Sequence, residues 1–173
     1  MERNLQMKIL LIGHARHGKD SVAEILQYML GLTFRSSSEF ANESVIFPAL
    51  APKYGYTTLD ECYQDRINHR KEWYELIRDY NGDDPARLGR ELFEENDIYC
   101  GLRHREEFEA IKAESLYDVC VWVDASERLP PESSDSMSLT MEDANVIIHN
   151  NESLTKLQAE MIMICSNDIL YYA

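Results

Sequence analysis

Nine consecutive residues, Gly13-His14-Ala15-Arg16-His17-Gly18-Lys19-Asp20-Ser21, have the composition and spacing to hold phosphate. They match G-x-x-x-x-G-K, with Asp20 where Ser or Thr is usual and Ser21 one place later. Two glycines let the backbone curl until its N–H groups point inward at phosphate oxygens, and the following helix adds its positive dipole end. His14, Ala15, Arg16 and His17 contribute chiefly through their backbone N–H groups. Lys19 would bridge the terminal phosphates and stabilise charge in the transition state, with Arg16 as a second cation. Asp20 offers Mg²⁺ a hard oxygen, directly or through water; Ser21, one residue further round the helix, is the weaker metal ligand. The simpler alternative is a Gly-rich turn joining a strand to a helix. The flanks favour the phosphate loop, because a buried strand precedes it and an amphipathic helix follows.

Five apolar or β-type segments can position such a loop. Residues 8–12 (KILLI) and 119–123 (VCVWV) are continuous apolar runs, as expected of strands buried on both faces. Residues 32–35, 98–102 and 145–149 are the other candidates. After the phosphate loop, Val22, Ile25, Leu26 and Met29 recur at helical spacing, with Gly31 as terminator. A long helical region spans about residues 42–95, with breaks expected at Pro48, Pro52, Gly55 and the turn 81–85. Thr58 and Glu61 have capping-box spacing, and Asp84-Pro85 reads as a helix start. A helix follows the third strand, and residues 152–163 read as a closing helix. Residues 129–138 (LPPESSDSMS) form a polar loop. Strands alternating with helices imply a mostly parallel sheet, whose ligands lie beyond the strands' carboxyl ends. Gly13, Ser36 to Ser38, Arg103 and Asp124 all fall at that edge.

Composition bounds the rest. The chain has 173 residues, long enough for one compact domain, and carries 17 Lys+Arg against 31 Asp+Glu, a formal charge of −14. That balance weighs against non-specific nucleic-acid binding, which needs clustered cations, and favours a free nucleotide as substrate. No apolar run approaches the roughly 20 residues that span a bilayer. The first six residues read as a dispensable extension before Met7, without signal-peptide character. Cys62, Cys100, Cys120 and Cys165 form no C-x-x-C pair, so reduced thiols and a cytoplasmic setting are expected.

Phosphoryl transfer between two polyanions needs further cations. Arg103 follows the third strand directly, where its fork could grip an acceptor phosphate; the alternative is an ion pair with Glu106 or Glu107. Arg66 and Arg70, four residues apart, would share a helix face and line an acceptor pocket, unless they pair with Asp65 or Glu72. Asp124, ending the fourth strand, would hold Mg²⁺ or orient an acceptor hydroxyl, or serve as an ordinary turn residue.

The sequence resembles the phage-type deoxynucleoside monophosphate kinases, a P-loop nucleoside monophosphate kinase-like family. The likeness rests on IGHARHGKDSVAEIL, with its G-K-D-S, and continues through ARLGRELF, IYCGLRHREEFEAIKAE and ANVIIHNNESLTKL. It implies a three-layer α/β fold for residues 1–173 as one P-loop kinase domain, with a five-stranded parallel sheet of order 2-3-1-4-5. It also implies a helical acceptor-binding region over about 40–95 and a short lid-like loop over about 126–140. ATP would be the donor, Mg²⁺ the cofactor and a nucleoside monophosphate the acceptor, giving a diphosphate. Arg87 resembles the family's acceptor-binding arginine, Ser37 and Ser38 would face the acceptor, unless Ser38 instead caps the next helix, and Asn150 and Asn151 would contact adenine. Arg128 is the only basic residue between positions 126 and 140, where many such kinases present several lid arginines. Two rivals stand beside this expectation. One is a kinase of the same fold phosphorylating 5-hydroxymethyluracil in phage DNA, which would need a base such as Asp124 or Glu39. The other is a nucleotide-binding module without catalysis, against which an intact Lys19 argues.

Overall fold

The computed structural model describes residues 7–134, 136–167 and 169. The extension before Met7, and Asp135 within the expected lid loop, lie outside the described residues. Five parallel strands, β1 (Ile9–Ile12), β2 (Phe34–Ser36), β3 (Ile98–Cys100), β4 (Val119–Asp124) and β5 (Val146–His149), form one sheet of order β2-β3-β1-β4-β5. This is the order expected. Every residue of β1 and β4 is buried, while edge strand β5 alternates buried and exposed.

Period-two alternation sends successive side chains into opposite layers. Ile9, Leu11, Val121 and Val123 pack with α1 (Lys19–Leu30) and α8 (Leu154–Asn167) through Val22, Leu26, Leu157 and Met161. Leu10, Ile12, Cys120 and Trp122 face the opposite layer. That layer contains α2 (Ser37–Ala41), a π-helical segment (Asn42–Ile46), α3 (Phe47–Tyr54), α4 (Leu59–Asp65), α5 (Arg70–Asn81), α6 (Arg87–Glu95) and α7 (Arg105–Ala113). Full burial of one such aliphatic side chain contributes roughly 1.5–3 kcal/mol. Gly89 lets α6 close onto this layer, since a Cβ there would lie 2.4 Å from Ile111 Cδ1.

Local signals mostly appear as expected. Gly31 closes α1 with a positive φ, its N–H bonded to Gln27 O. Thr58 and Glu61 form the capping box of α4. Several expectations are corrected, among them the start of α6, which opens at Arg87 with Ala86 as its cap rather than at Asp84-Pro85. Neither Pro48 nor Pro52 breaks the helix: both lie inside α3, which Gly55 ends; Pro52 stands two residues before the helix's last, where a proline forfeits a single backbone bond. The cap of α2 is Ser36, whose Oγ accepts the Glu39 N–H, rather than Ser38. Arg66 and Arg70 share no helix: Arg66 ends α4, the intervening residues turn, and Arg70 opens α5. The four cysteines are buried free thiols, and none of the described helices is long and apolar enough to cross a membrane.

Candidate functional site

The loop between β1 and α1 is shaped by close approach to the neighbouring strand. Gly13 has φ +138°, and a Cβ on it would stand 2.5 Å from Val123 O. Gly18 is also at positive φ, and Arg16 adopts the left-handed region with its side chain exposed. These conformations make the chain turn sharply, with the His17 N–H bonded back to His14 O at 3.3 Å.

One side chain from the far end of the sequence and one of the loop's own brace the loop. Asn150, just beyond β5, donates its amide to His17 O at 2.9 Å. His17, with no exposed surface, accepts the Ala125 N–H on Nδ1 at 3.0 Å, so Nε2 carries the hydrogen of the neutral ring. Asn151 accepts the Glu127 N–H and donates to Asp124. Both asparagine amides expected at adenine therefore bond to protein.

Asp124 is 4% exposed. Its carboxylate accepts the Ser126 N–H and hydroxyl, the Asn151 amide and a contact from His149 Nδ1 at 3.4 Å. Burial pushes this carboxyl up, but those donors outweigh burial and hold it below its ordinary value. The geometry makes Asp124 the organiser of the turn after β4.

Lys19 is 8% exposed and folds back on the loop, donating Nζ to Gly13 O at 2.9 Å and His14 O at 2.8 Å. Burial draws the ammonium down from the ordinary lysine value, helped by Arg103 and opposed by Asp20 and Glu132. Asp20 stands exposed in the first turn of α1, where Cys100 Sγ donates to it at 3.4 Å. Cys100 ends β3 and pairs in register with Ser36 of β2, and Ser37 Oγ donates to Gly101 O at 3.4 Å. The loop, the end of β3 and the serines after β2 thus share one sheet edge. Ser38 Oγ meets Tyr63 Oη at 3.1 Å, and the Arg66 guanidinium lies 3.8 Å from the Tyr63 ring centroid. Arg70 is exposed on α5.

Arg103 pairs neither with Glu106 nor with Glu107 but with Glu132, a residue the sequence reading did not select. The other oxygen of Glu132 accepts the Ala15 N–H at 2.5 Å, and the Glu132 N–H donates to His14 Nδ1 at 3.2 Å. A carboxylate therefore sits on a phosphate-loop N–H and on the best candidate arginine together. No local pattern marks Glu132, which lies within the polar loop of residues 129–138. The remaining arginines have other work. Arg87 lies 3.9 Å from the Tyr80 ring centroid and pairs with Glu91. Arg90 joins Asp84 to Glu114, and Arg105 holds Asp143 and Ser138 O. Arg128 donates to Asn150 O. Beyond β5, Glu127, His149, Asn151, Glu152, Lys156 and Glu160 line a groove of about 290 Å³.

No protein-family model and no curated protein sequence matches the chain. Among solved structures it is similar to a shikimate kinase from Aquifex aeolicus vf5, with TM-score 0.51 and 19% identity over 95% of this chain and 99% of that one. A gluconokinase from Sinorhizobium meliloti 1021 aligns with TM-score 0.49 and 15% identity, covering 98% of each chain. The first likeness, with the strand order, establishes a P-loop kinase fold.

Proposed function

We propose that the chain is an ATP- and Mg²⁺-dependent phosphotransferase acting on a small nucleotide, foremost a deoxynucleoside monophosphate converted to the diphosphate in bacteriophage deoxynucleotide metabolism. The observation carrying this reading is the convergence of the Ala15 N–H and Arg103 on one anion position, beside Lys19. Donors fixed before the reaction stabilise charge shifting from donor to acceptor without reorganising.

Each residue has a part in that reading. Loop N–H groups from Gly13 to Ser21 bind the ATP phosphates, and Lys19 exchanges its two carbonyl partners for phosphate oxygens. Arg103 neutralises the transferring group, with Arg16 as a further cation at the loop. Ser37, at Gly101 O, and the pair Ser38 and Arg66, linked through Tyr63, bind the acceptor beside the β3 edge. Arg70 and Arg87 lie further out on α5 and α6. Adenine lies in the groove beyond β5, beside Asn151 and the loop that Asn150 anchors. An acceptor phosphate is already anionic at neutral pH and needs no strong base.

The donor set fits Mg²⁺. Among the described residues, no group of three His, Cys, Asp or Glu is arranged to hold a metal by itself. Mg²⁺ needs none, since it keeps several waters and takes phosphate oxygens with one or two carboxylates. Exposed Asp20, next to Lys19, is the better-placed carboxylate, and Asp124 would contribute only through water. When bound, the ion supplies charge neutralisation along the phosphates.

DNA is the less favoured acceptor. Arg87, Arg90, Arg103 and Arg105 are paired with carboxylates, leaving little of the cation cluster that phosphate-backbone binding requires. Incubation with γ-labelled ATP·Mg²⁺ and a panel of nucleoside monophosphates, nucleosides and hydroxymethylated DNA tests the reading. Label appearing in a diphosphate is the expected result; label in DNA alone overturns the nucleotide assignment. No transfer to any acceptor, with nucleotide still bound, supports a binding module instead.

A further inference from the structure

Glu132 lies 117 residues from Ala15 in sequence, yet its Oε2 accepts the Ala15 N–H. Its Oε1 pairs with Arg103, and its own N–H donates to His14 Nδ1. These contacts join the phosphate loop, the segment after β3 and the polar loop after β4. Lys19 completes the arrangement by turning onto the carbonyls of Gly13 and His14. Phosphate-loop N–H groups and a flanking guanidinium are the partners that a phosphoryl oxygen would seek.

The contact is ionic in character. Burial pushes the Glu132 carboxyl up, but Arg103, the Ala15 N–H and Lys19 outweigh it and hold the group below the ordinary glutamate value. The segment is also tethered at its other end, where the Ala125 N–H is bonded to His17 and Arg128 to Asn150 O. Residues 125 and 132 are thus both fastened to histidines of the phosphate loop, with Glu132 the anion between the fastenings and Arg103.

We propose that Glu132 is a built-in anion that occupies part of the phosphate site in the nucleotide-free protein, so that an incoming polyphosphate must displace it and thereby releases Arg103 for the transferring phosphoryl group. The inference rests on the phosphate-site reading above but goes beyond it. A ligand excluded by the Ala15–Glu132 contact binds only the fraction of molecules in which that contact is open, and its apparent affinity falls by the same fraction. The contact would also keep Arg103 away from weakly binding anions such as single phosphate ions.

Calorimetric titration of the full chain with MgATP and with inorganic tripolyphosphate tests the inference, comparing wild type, Glu132→Gln, Glu132→Ala and a control on the exposed Glu142, Glu142→Gln. Both Glu132 variants are expected to bind about tenfold more tightly, matching a contact of about 1.4 kcal/mol, with no change for Glu142→Gln. Hydrogen exchange on the wild type supplies a second measurement if either variant folds poorly. Addition of MgATP should increase exchange in residues 126–134 while decreasing it in residues 13–19. Unchanged or weaker binding by well-folded Glu132 variants overturns the displacement, as does slower exchange in both segments. Absence of MgATP and tripolyphosphate binding by wild type and variants alike overturns the phosphate-site reading itself, and the displacement with it.

Discussion

The imidazole of His17 accepts the backbone N–H of Ala125 at 3.0 Å, fastening the start of the polar loop after β4 to the phosphate loop. Asn150 reaches the carbonyl of the same histidine from beyond β5. His17 is therefore a joint between three loops at one sheet edge. His17→Ala would open a cavity and leave a buried N–H without an acceptor, a cost of about 2–4 kcal/mol. Urea denaturation should show that loss, and His17→Gln, which retains an acceptor, should recover part of it.

Gly13 and Gly18 predict different costs. A Cβ at Gly13 meets the backbone of Val123 at 2.5 Å, whereas one at Gly18 meets the Asn150 side-chain amide at 2.2 Å. Backbone of a central strand cannot withdraw; an amide can, at the expense of its bond to His17 O. Gly13→Ala should cost about 3 kcal/mol or more, and Gly18→Ala about 1–3 kcal/mol. Equal denaturation midpoints for the two variants would contradict this ordering.

Lys19→Ala is expected to leave the fold intact and reduce phosphoryl transfer by at least about a hundredfold, since it removes transition-state charge stabilisation. Circular dichroism with a labelled-ATP assay checks both halves.

Arg103 and Arg105 are separated by one residue and should differ in kind. Arg103 faces the phosphate loop, while Arg105 clamps Asp143 and Ser138 O. Arg103→Ala should lower transfer by about a hundredfold with little change in stability. Arg105→Ala should cost about 1–2 kcal/mol of stability and leave nucleotide affinity unchanged. Parallel denaturation and calorimetry separate the two.

Glu107 predicts a pH dependence. Burial raises its carboxyl from 4.5 to about 7, although it accepts the Tyr99 hydroxyl at 2.5 Å. The folded protein therefore holds this proton more tightly than the unfolded chain. The stabilisation is fully present below about pH 4.5 and is lost as pH rises through about 7, with a slope of at most about 1.4 kcal/mol per pH unit. Burial lowers His14 and His104 from 6.5, and their effect has the opposite sign: stability present above pH 6.5 is lost as pH falls. Stability curves for wild type and Glu107→Gln isolate the carboxyl, and parallel curves would remove Glu107 from the account.

The sequence by itself determined the phosphate loop, the strands on either side of it and much of the helix punctuation. Gly13 to Lys19, the apolar runs of β1 and β4, Gly31 and the Thr58–Glu61 box act within a few residues, through φ restrictions, short hydrogen bonds and side-chain periodicity. Arg103 still emerges at the carboxyl edge, although β3 ends at Cys100 and not at the expected residue 102, because only two residues separate it from the end of a parallel strand. Tertiary structure alone decided which polar groups meet there. Arg66 and Arg70 separated because a turn intervened that no four-residue spacing records. Asn150 and Asn151 turned to brace loops, and Asp124 to organise a turn, through partners distant in sequence. Glu132 arrived at Ala15 across 117 residues. Such pairings depend on how crossovers stack loops at one end of the sheet, and hydrogen bonds between distant segments carry no periodicity to read. The −14 charge is accordingly met in two ways: carboxylates pair Arg87, Arg90, Arg103 and Arg105, and one of those carboxylates also rests on the phosphate loop.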